Sequence, residues 1–214
     1  EICRLIFAGE KVTYEGRVFQ LPLPDSDGKS IRIVHEPAEV PIYLATLGPN
    51  SLKYTGEATN GWLGTSFSPD HPEAHFAFIR EGAQKAGRSL HDIDLCVSAR
   101  IEIGDDVEGM IEKRRPAVAF NMGGMGSATT NFYNDAFKRA GFEDDARAIQ
   151  SLWIDGKREE AASRVPDAMI TKFQALGSAE MVRDRLRIYR DAGVTTLKLG
   201  LDGSGPLGPA RFEL

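Results

Sequence analysis

The chain has 214 residues, 42% hydrophobic, 27% charged and 8% aromatic. These are the proportions of a soluble globular domain and exclude a disordered tail, a collagen-like fibre or a low-complexity linker. Lys and Arg number 26 against 31 Asp and Glu, a formal charge of −5, so the chain lacks the basic surface on which phosphate-backbone affinity rests and no nucleic acid is expected as a partner.

Ile2, Leu5 and Ile6 recur at helical spacing from the second residue. Glu1 leaves no room for a capping residue. The sequence is therefore expected to open inside a helix, with further chain upstream. Residues 12–19 form two β-rich runs around Glu15-Gly16, the pattern of a small hairpin. A Pro- and Asp-rich loop over residues 22–28 follows.

From Pro41 the pattern changes. Residues 42–47 are nearly all apolar, as expected of a parallel strand buried on both faces. Gly48-Pro49 ends that run, and a helix is expected from Asn50 to about Ala58. A second strand spans 61–65. The next helix opens with Asp70 and Glu73 in capping-box spacing, and Phe76, Ile79, Ala83 and Ala86 form its apolar stripe. A third strand covers 94–103, and Asp105 with Glu108 starts another helix. Between about Asp105 and Leu176 only helical patterning is found. Ser178, Glu180 and the stripe Val182, Leu186, Tyr189 define a helix that feeds a last strand over 194–201, and residues 202–214 have loop chemistry.

Strand–helix alternation of this kind predicts an α/β fold with a parallel sheet. Four core strands are visible, whereas a closed (β/α)₈ barrel needs eight and typically ~250 residues. No apolar run approaches the roughly 20 residues that cross a bilayer, and Glu1 to Arg4 does not begin a signal peptide, so no membrane partner is expected. Cys3 and Cys96 are too few for a disulfide framework and read as free thiols of a reducing cytoplasm.

Six motifs could carry chemistry. At the first strand-to-helix turn, Ala45, Thr46, Leu47 and Gly48 stand where parallel α/β folds place ligands, beside a helix N-terminus. An ordinary tight turn is the plain alternative. Thr65 and Ser66 end the next strand, and their hydroxyls are expected to line the same pocket, unless they only serve turn chemistry. The G-x-G-x-x-G at 203–208 is interrupted by Pro206 and opens no helix, so it is set aside. His71 and His75 share a helix face but lack a third ligand. They read as a solvated helix start, and no metal is assigned. The run 113–115, Lys-Arg-Arg, reads as a charged helix face. Glycines 123, 124 and 126, before Asn131, Phe132, Tyr133 and Asn134, read as a flexible turn between helices that could meet a ligand.

The segments PIYLATLGP (41–49) and ATNGWL (58–63) together resemble the luciferase-like monooxygenase family, in particular its branch that uses the deazaflavin coenzyme F420. GGMG (123–126) through NFYN (131–134) resembles the helical insertion of some members, and AGVTTL (192–197) the last helix-to-strand turn. The resemblance implies a TIM-like (β/α)₈ barrel of which this chain holds the second half, strands five to eight, as a single domain over 1–214 with a helical insertion over 105–176. It implies an oxidoreductase that passes hydride between coenzyme F420 and a small organic substrate, acting as a homodimer in the cytoplasm. Alternatives are an FMN-dependent monooxygenase of the same fold, or an inactive half-barrel with an assembly role. By the same resemblance Ala45, Thr46, Leu47 and Gly48 pack against the cofactor, and Thr65 and Ser66 line the ring and substrate pocket. The acid/base groups are expected on strands one to four, so no catalytic residue is assigned. Ser68 stands where some sugar-phosphate dehydrogenases of the branch carry a phosphate-binding Lys, and that specificity does not transfer.

Overall fold

Ile2, Leu5 and Ile6 do fall on one helix. In the computed structural model, which describes residues 1–201, α1 spans Ile2–Phe7. The chain divides into two compact units, Glu1–Ile42 and the remainder from Tyr43. In the first, β1 (Tyr14–Glu15) pairs antiparallel with β2 (Gln20–Leu21). The hairpin turns later than the sequence suggests. The Gly16 amide donates to the Phe19 carbonyl at 2.9 Å, so residues 17–19 form the turn and not the second strand. Val18 and Phe19 are mostly exposed there and have no packed face to hold them in a strand.

The second unit is built on a five-stranded sheet in which every pairing is parallel. Its strands are β3 (Tyr43–Leu44), β4 (Gly61–Gly64), β5 (Asp94–Ile103), β6 (Ala175–Gly177) and β7 (Thr196–Leu201). Cys96 and Val97 of β5 each pair with both β4 and β7, so those two strands flank β5 on opposite edges. The long run expected over 42–47 contributes only two ladder residues. Beyond Leu44 the carbonyls are taken by side chains: Thr46 accepts from the Trp62 indole at 2.9 Å, and Leu47 from the Arg139 guanidinium at 2.8 Å. Strand β6 lies at the edge of the stretch expected to be wholly helical. Three residues are too few to show a period of two.

Helices α2 (Pro49–Ala58) and α3 (Glu73–Lys85) follow β3 and β4. They touch backbone to backbone: a Cβ on Gly56 would sit 1.9 Å from the Ile79 carbonyl, and one on Gly82 1.8 Å from that of Lys53. Between these helices and the sheet, Leu52, Trp62, Phe67, Phe76, Ile79 and Val97 form one core. The capping box expected at α3 does not form. No side chain caps this helix; the Asp70 carboxylate pairs with Arg185, and Glu73 binds Arg80 through both oxygens at 2.7 and 2.8 Å. A guanidinium offers a carboxylate stronger, charge-assisted bonds than a backbone amide does. Ala86, expected in the apolar stripe, is the exposed C-cap.

Six helices lie between β5 and β6: α4 (Val107–Glu112), α5 (Arg115–Gly123), α6 (Phe132–Phe137), α7 (Glu143–Ile154), α8 (Arg158–Ser163) and α9 (Ala168–Thr171). Asp106, not Asp105, caps α4, accepting from the Gly109 amide at 2.9 Å. The segment has its own core around Met122, Ile149 and Met169, with Phe137 and Phe173 stacked at 4.2 Å. The basic run at 113–115 is not a solvated face. Arg114 is 5% exposed and binds Glu102 of β5 at 2.5 Å, Gln174 at 2.7 Å and the Met110 carbonyl at 2.8 Å. Arg115 binds Glu112 and Asp167. Both arginines tie the helices together and to the sheet. After β6, α10 (Ala179–Asp191) is capped by Ser178 as expected, and leads to β7. The tail at 202–214, with its G-x-G-x-x-G, lies outside the described residues.

Candidate functional site

Alternation along β5 sorts its side chains cleanly. Leu95, Val97, Ala99 and Ile101 are buried towards the helices, while Ser98 and Arg100 stand exposed on the opposite face. Register places Lys198 beside Ser98 and Gly200 beside Arg100, so β7 adds a second cation to that face. The sequence reading missed Ser98, Arg100 and Lys198. The signal was present in the period-two polar positions 96, 98, 100 and 102 of an otherwise apolar strand.

Strand β4 ends in Thr65 and Ser66. The backbone of Ser66 is left-handed, with φ of 50°, a conformation that costs a non-glycine residue about 1–2 kcal/mol. Thr65, Ser66, Ser98, Arg100, Asn121 and Lys198 line a cavity of about 480 Å³, with Phe137 and Phe173 on its apolar side.

The turn after β3 lies in a different cavity. Ala45, Thr46, Leu47, Gly48 and Ser51 line a space of about 450 Å³ together with Met125, Thr130, Phe132 and Tyr133. The structure brings the first motif to the glycine-rich one at 123–134, and Thr65 and Ser66 are not in the lining of that space. Helix α6 is a wall shared by both, giving Phe132 and Tyr133 to one and Phe137 to the other. It is held there by Arg139, whose guanidinium donates to the Leu47 and Ala74 carbonyls at 2.8 and 3.0 Å. Gly48 is needed at the turn, where a Cβ would approach the Phe132 ring to 3.2 Å. Helix α2 starts at Gly48 without a side-chain cap, so its positive dipole end stands at this cavity. The Thr46 hydroxyl is engaged inside the protein. Buried Thr55 uses its only hydroxyl proton on the Ser51 carbonyl, so Thr46 donates to Thr55 at 2.9 Å.

The remaining polar candidates are structural. His75 is fully buried, 5.2 Å from Trp62 and 5.9 Å from Phe67 between ring centroids. This overturns the expectation of a solvated helix start. Burial, aided by the charge of Arg139, brings its pKa down to about 3. Ser68 is buried too, donating to the Lys172 carbonyl at 3.3 Å. At the opposite end of the strands Asp94 accepts from Tyr43 of β3 and Thr196 of β7, each at 2.8 Å, and from Thr195. Partial burial pushes its carboxyl up, but these bonds outweigh it and the net shift is downward. Asp94 therefore stitches three strands at the end of the sheet that serves stability. Among the described residues no group of three or more His, Cys, Asp or Glu could hold a metal ion, and no helix is long and apolar enough to cross a membrane.

Residues 1–196 match the luciferase-like monooxygenase family. The chain belongs to that family. Its fold agrees: the coenzyme F420 dependent tetrahydromethanopterin reductase of Methanopyrus kandleri superposes with a TM-score of 0.71 at 27% identity, over 96% of this chain and 56% of that one. An F420-dependent secondary alcohol dehydrogenase, 18% identical, shows the same fold with a TM-score of 0.64 over 92% of this chain and 52% of its own. The five parallel strands thus belong to a TIM-like barrel of the luciferase-like type. In sequence, a Mycobacterium tuberculosis protein, provisionally named as a coenzyme F420-dependent oxidoreductase, is 31% identical over 92% of this chain. The 5,10-methylenetetrahydromethanopterin reductase of M. kandleri is 30% identical over 99%. The chain spans 59% and 56% of these two relatives.

Proposed function

We propose that this luciferase-like protein is an oxidoreductase that passes hydride between coenzyme F420 and a small organic substrate. The observation that carries the reading is the turn at 45–48. It lies beside an uncapped helix N-terminus and an aromatic wall, in a chain that has relatives named for that coenzyme. Gly48 and the rings of Phe132 and Tyr133 suit a flat aromatic ligand. Ala45, Thr46, Leu47 and Gly48 would hold it, with Thr65 and Ser66 lining the substrate side. Coenzyme F420 would supply the hydride chemistry. The chain's own residues bind, orient and exclude water. A homodimer in the cytoplasm, with residues 105–176 as the family's helical insertion in a single barrel domain, completes the proposal.

The test is a fluorescence titration of the purified protein with coenzyme F420 and, separately, FMN. Selective F420 binding, abolished by Ala45→Trp at the exposed position of the same turn with little loss of stability, is the expected result. FMN preference would favour the monooxygenase chemistry instead, and binding of neither would overturn the reading.

A further inference from the structure

In the cavity at the end of β4, the orientation of Gln174 is dictated by a neighbour. Gln174 lies directly before β6 and lines this cavity. Its Oε1 accepts from Arg114 Nε at 2.7 Å. A guanidinium can only donate, so the amide oxygen faces Arg114 and the NH₂ group is left to donate elsewhere. Arg114 is itself fixed by Glu102 of β5 and by the Met110 carbonyl. Among the described residues the Gln174 NH₂ has no hydrogen-bond partner, and it is not buried. Thr65, Ser66 and Ser98 add hydroxyls to the lining, while no Asp or Glu is found there among the described residues. The polar side of the cavity is therefore rich in donors. Its apolar side is formed by Phe137 and Phe173, whose rings stack at 4.2 Å.

We infer that Gln174 is a ligand-recognition residue: its amide NH₂, oriented by Arg114, donates to a carbonyl oxygen of a small neutral molecule whose apolar part packs on Phe137 and Phe173. An NH₂ group only donates and a carbonyl oxygen only accepts, so the two are complementary. A cavity of about 480 Å³ suits a molecule of that kind. The charges nearby favour a neutral ligand over an ion. Arg100 already has an interaction partner in the protein, and Lys198 is exposed, where a single ion pair contributes little. That is not enough to offset stripping water from an anion. Calling the molecule the substrate rests on the proposed function; the role of Gln174 does not.

Acetophenone, benzoate and toluene are titrated into the protein without cofactor, followed by ligand-observed NMR, for wild type, Gln174→Glu and Gln174→Met. Glutamate keeps an oxygen for Arg114 and replaces the NH₂ by a second acceptor, so Gln174→Glu should fold. Gln174→Met removes the amide without adding charge. Acetophenone should bind wild type saturably and more tightly than benzoate or toluene. Both variants should weaken acetophenone about tenfold and leave toluene unchanged, a split that a merely structural role of Gln174 would not produce. The assignment is overturned by absence of saturable acetophenone binding, by benzoate binding more tightly than acetophenone, by variants that bind acetophenone like wild type, or by equal weakening of acetophenone and toluene. Coenzyme F420 is titrated into the same protein. Acetophenone binding without any F420 binding would leave Gln174 its role while the hydride-transfer reading fell, and F420 binding without acetophenone binding would do the reverse.

Discussion

Replacing His75 removes a buried titratable group whose cost can be worked out in advance. Among the described residues neither ring nitrogen of His75 has a hydrogen-bond partner, and Trp62 and Phe67 pack around it. Its pKa falls from 6.5 to about 3, chiefly because burial penalises the charged ring and secondarily because Arg139 lies nearby. A folded-state pKa below the unfolded value means that the unfolded chain takes up the proton first. The stability is therefore intact above about pH 6.5 and is lost as the pH falls towards 3. With these two values, lowering the pH from 7 to 5 costs the folded state about 2 kcal/mol through this residue alone.

His75→Phe deletes that contribution. The quantity to measure is the change in unfolding free energy between pH 7 and pH 5, from urea denaturation of wild type and variant. The other titrating groups are common to both proteins and cancel in the comparison. The variant is expected to lose about 2 kcal/mol less than wild type over that interval. Whether phenylalanine packs better or worse than imidazole shifts both pH values equally, and His75→Leu gives an independent reading with a smaller side chain. Equal losses in all three proteins would show that His75 is hydrated or partnered in solution, and would refute the argument.

Arg114→Met should destabilise the protein by about 3 kcal/mol in urea titrations, the lower end of the cost of breaking a buried ion pair, because the Glu102 side chain keeps 21% of its exposure. Adding Glu102→Gln should recover part of that loss, and a single variant within experimental error of wild type would contradict the anchoring role. Ser66→Val should cost about 2 kcal/mol, since a β-branched side chain tolerates φ of 50° poorly, while Ser66→Gly should cost little. Equal stabilities would mean that the turn is not left-handed. Asp94 has a lowered folded pKa, so its contribution is present above its unfolded value of 3.8 and disappears as the pH falls further. Asp94→Asn should therefore flatten the stability curve below about pH 4; an unchanged acid limb would remove Asp94 as the stitch between β3, β5 and β7.

The elements most legible in the sequence were those whose residues answer to one demand. Strand β5 was read with both ends correct because its buried face needs apolar side chains at every second position. Helix α10 declared its start through Ser178, whose hydroxyl does accept from the Met181 amide. Errors gathered where a side chain serves a distant partner. The spacing of Asp70 and Glu73 is that of a helix cap, but Arg185 lies 115 residues further along and claims Asp70. The run at 113–115 has the look of a solvated face, yet Arg114 is matched by Glu102 on a strand and Gln174 beyond five further helices. No local window contains such partners.

The same reasoning explains why the site was only half found. Glycine and proline at 48 and 49 announce a strand-to-helix turn from local chemistry alone, and the structure does give that turn a cavity. Arg100 and Lys198 announce nothing by themselves, since each is one polar residue in an alternating strand. They become a feature only when β5 and β7, whose paired residues lie about a hundred positions apart, align in register. The tie between that turn and the helical segment has the same origin, since Arg139 reaches the Leu47 carbonyl from 92 residues away. Turn chemistry therefore locates the end of the sheet at which parallel α/β folds place ligands. Which side chains meet there, and what charge they present, is decided by strand register and by long-range guanidinium contacts.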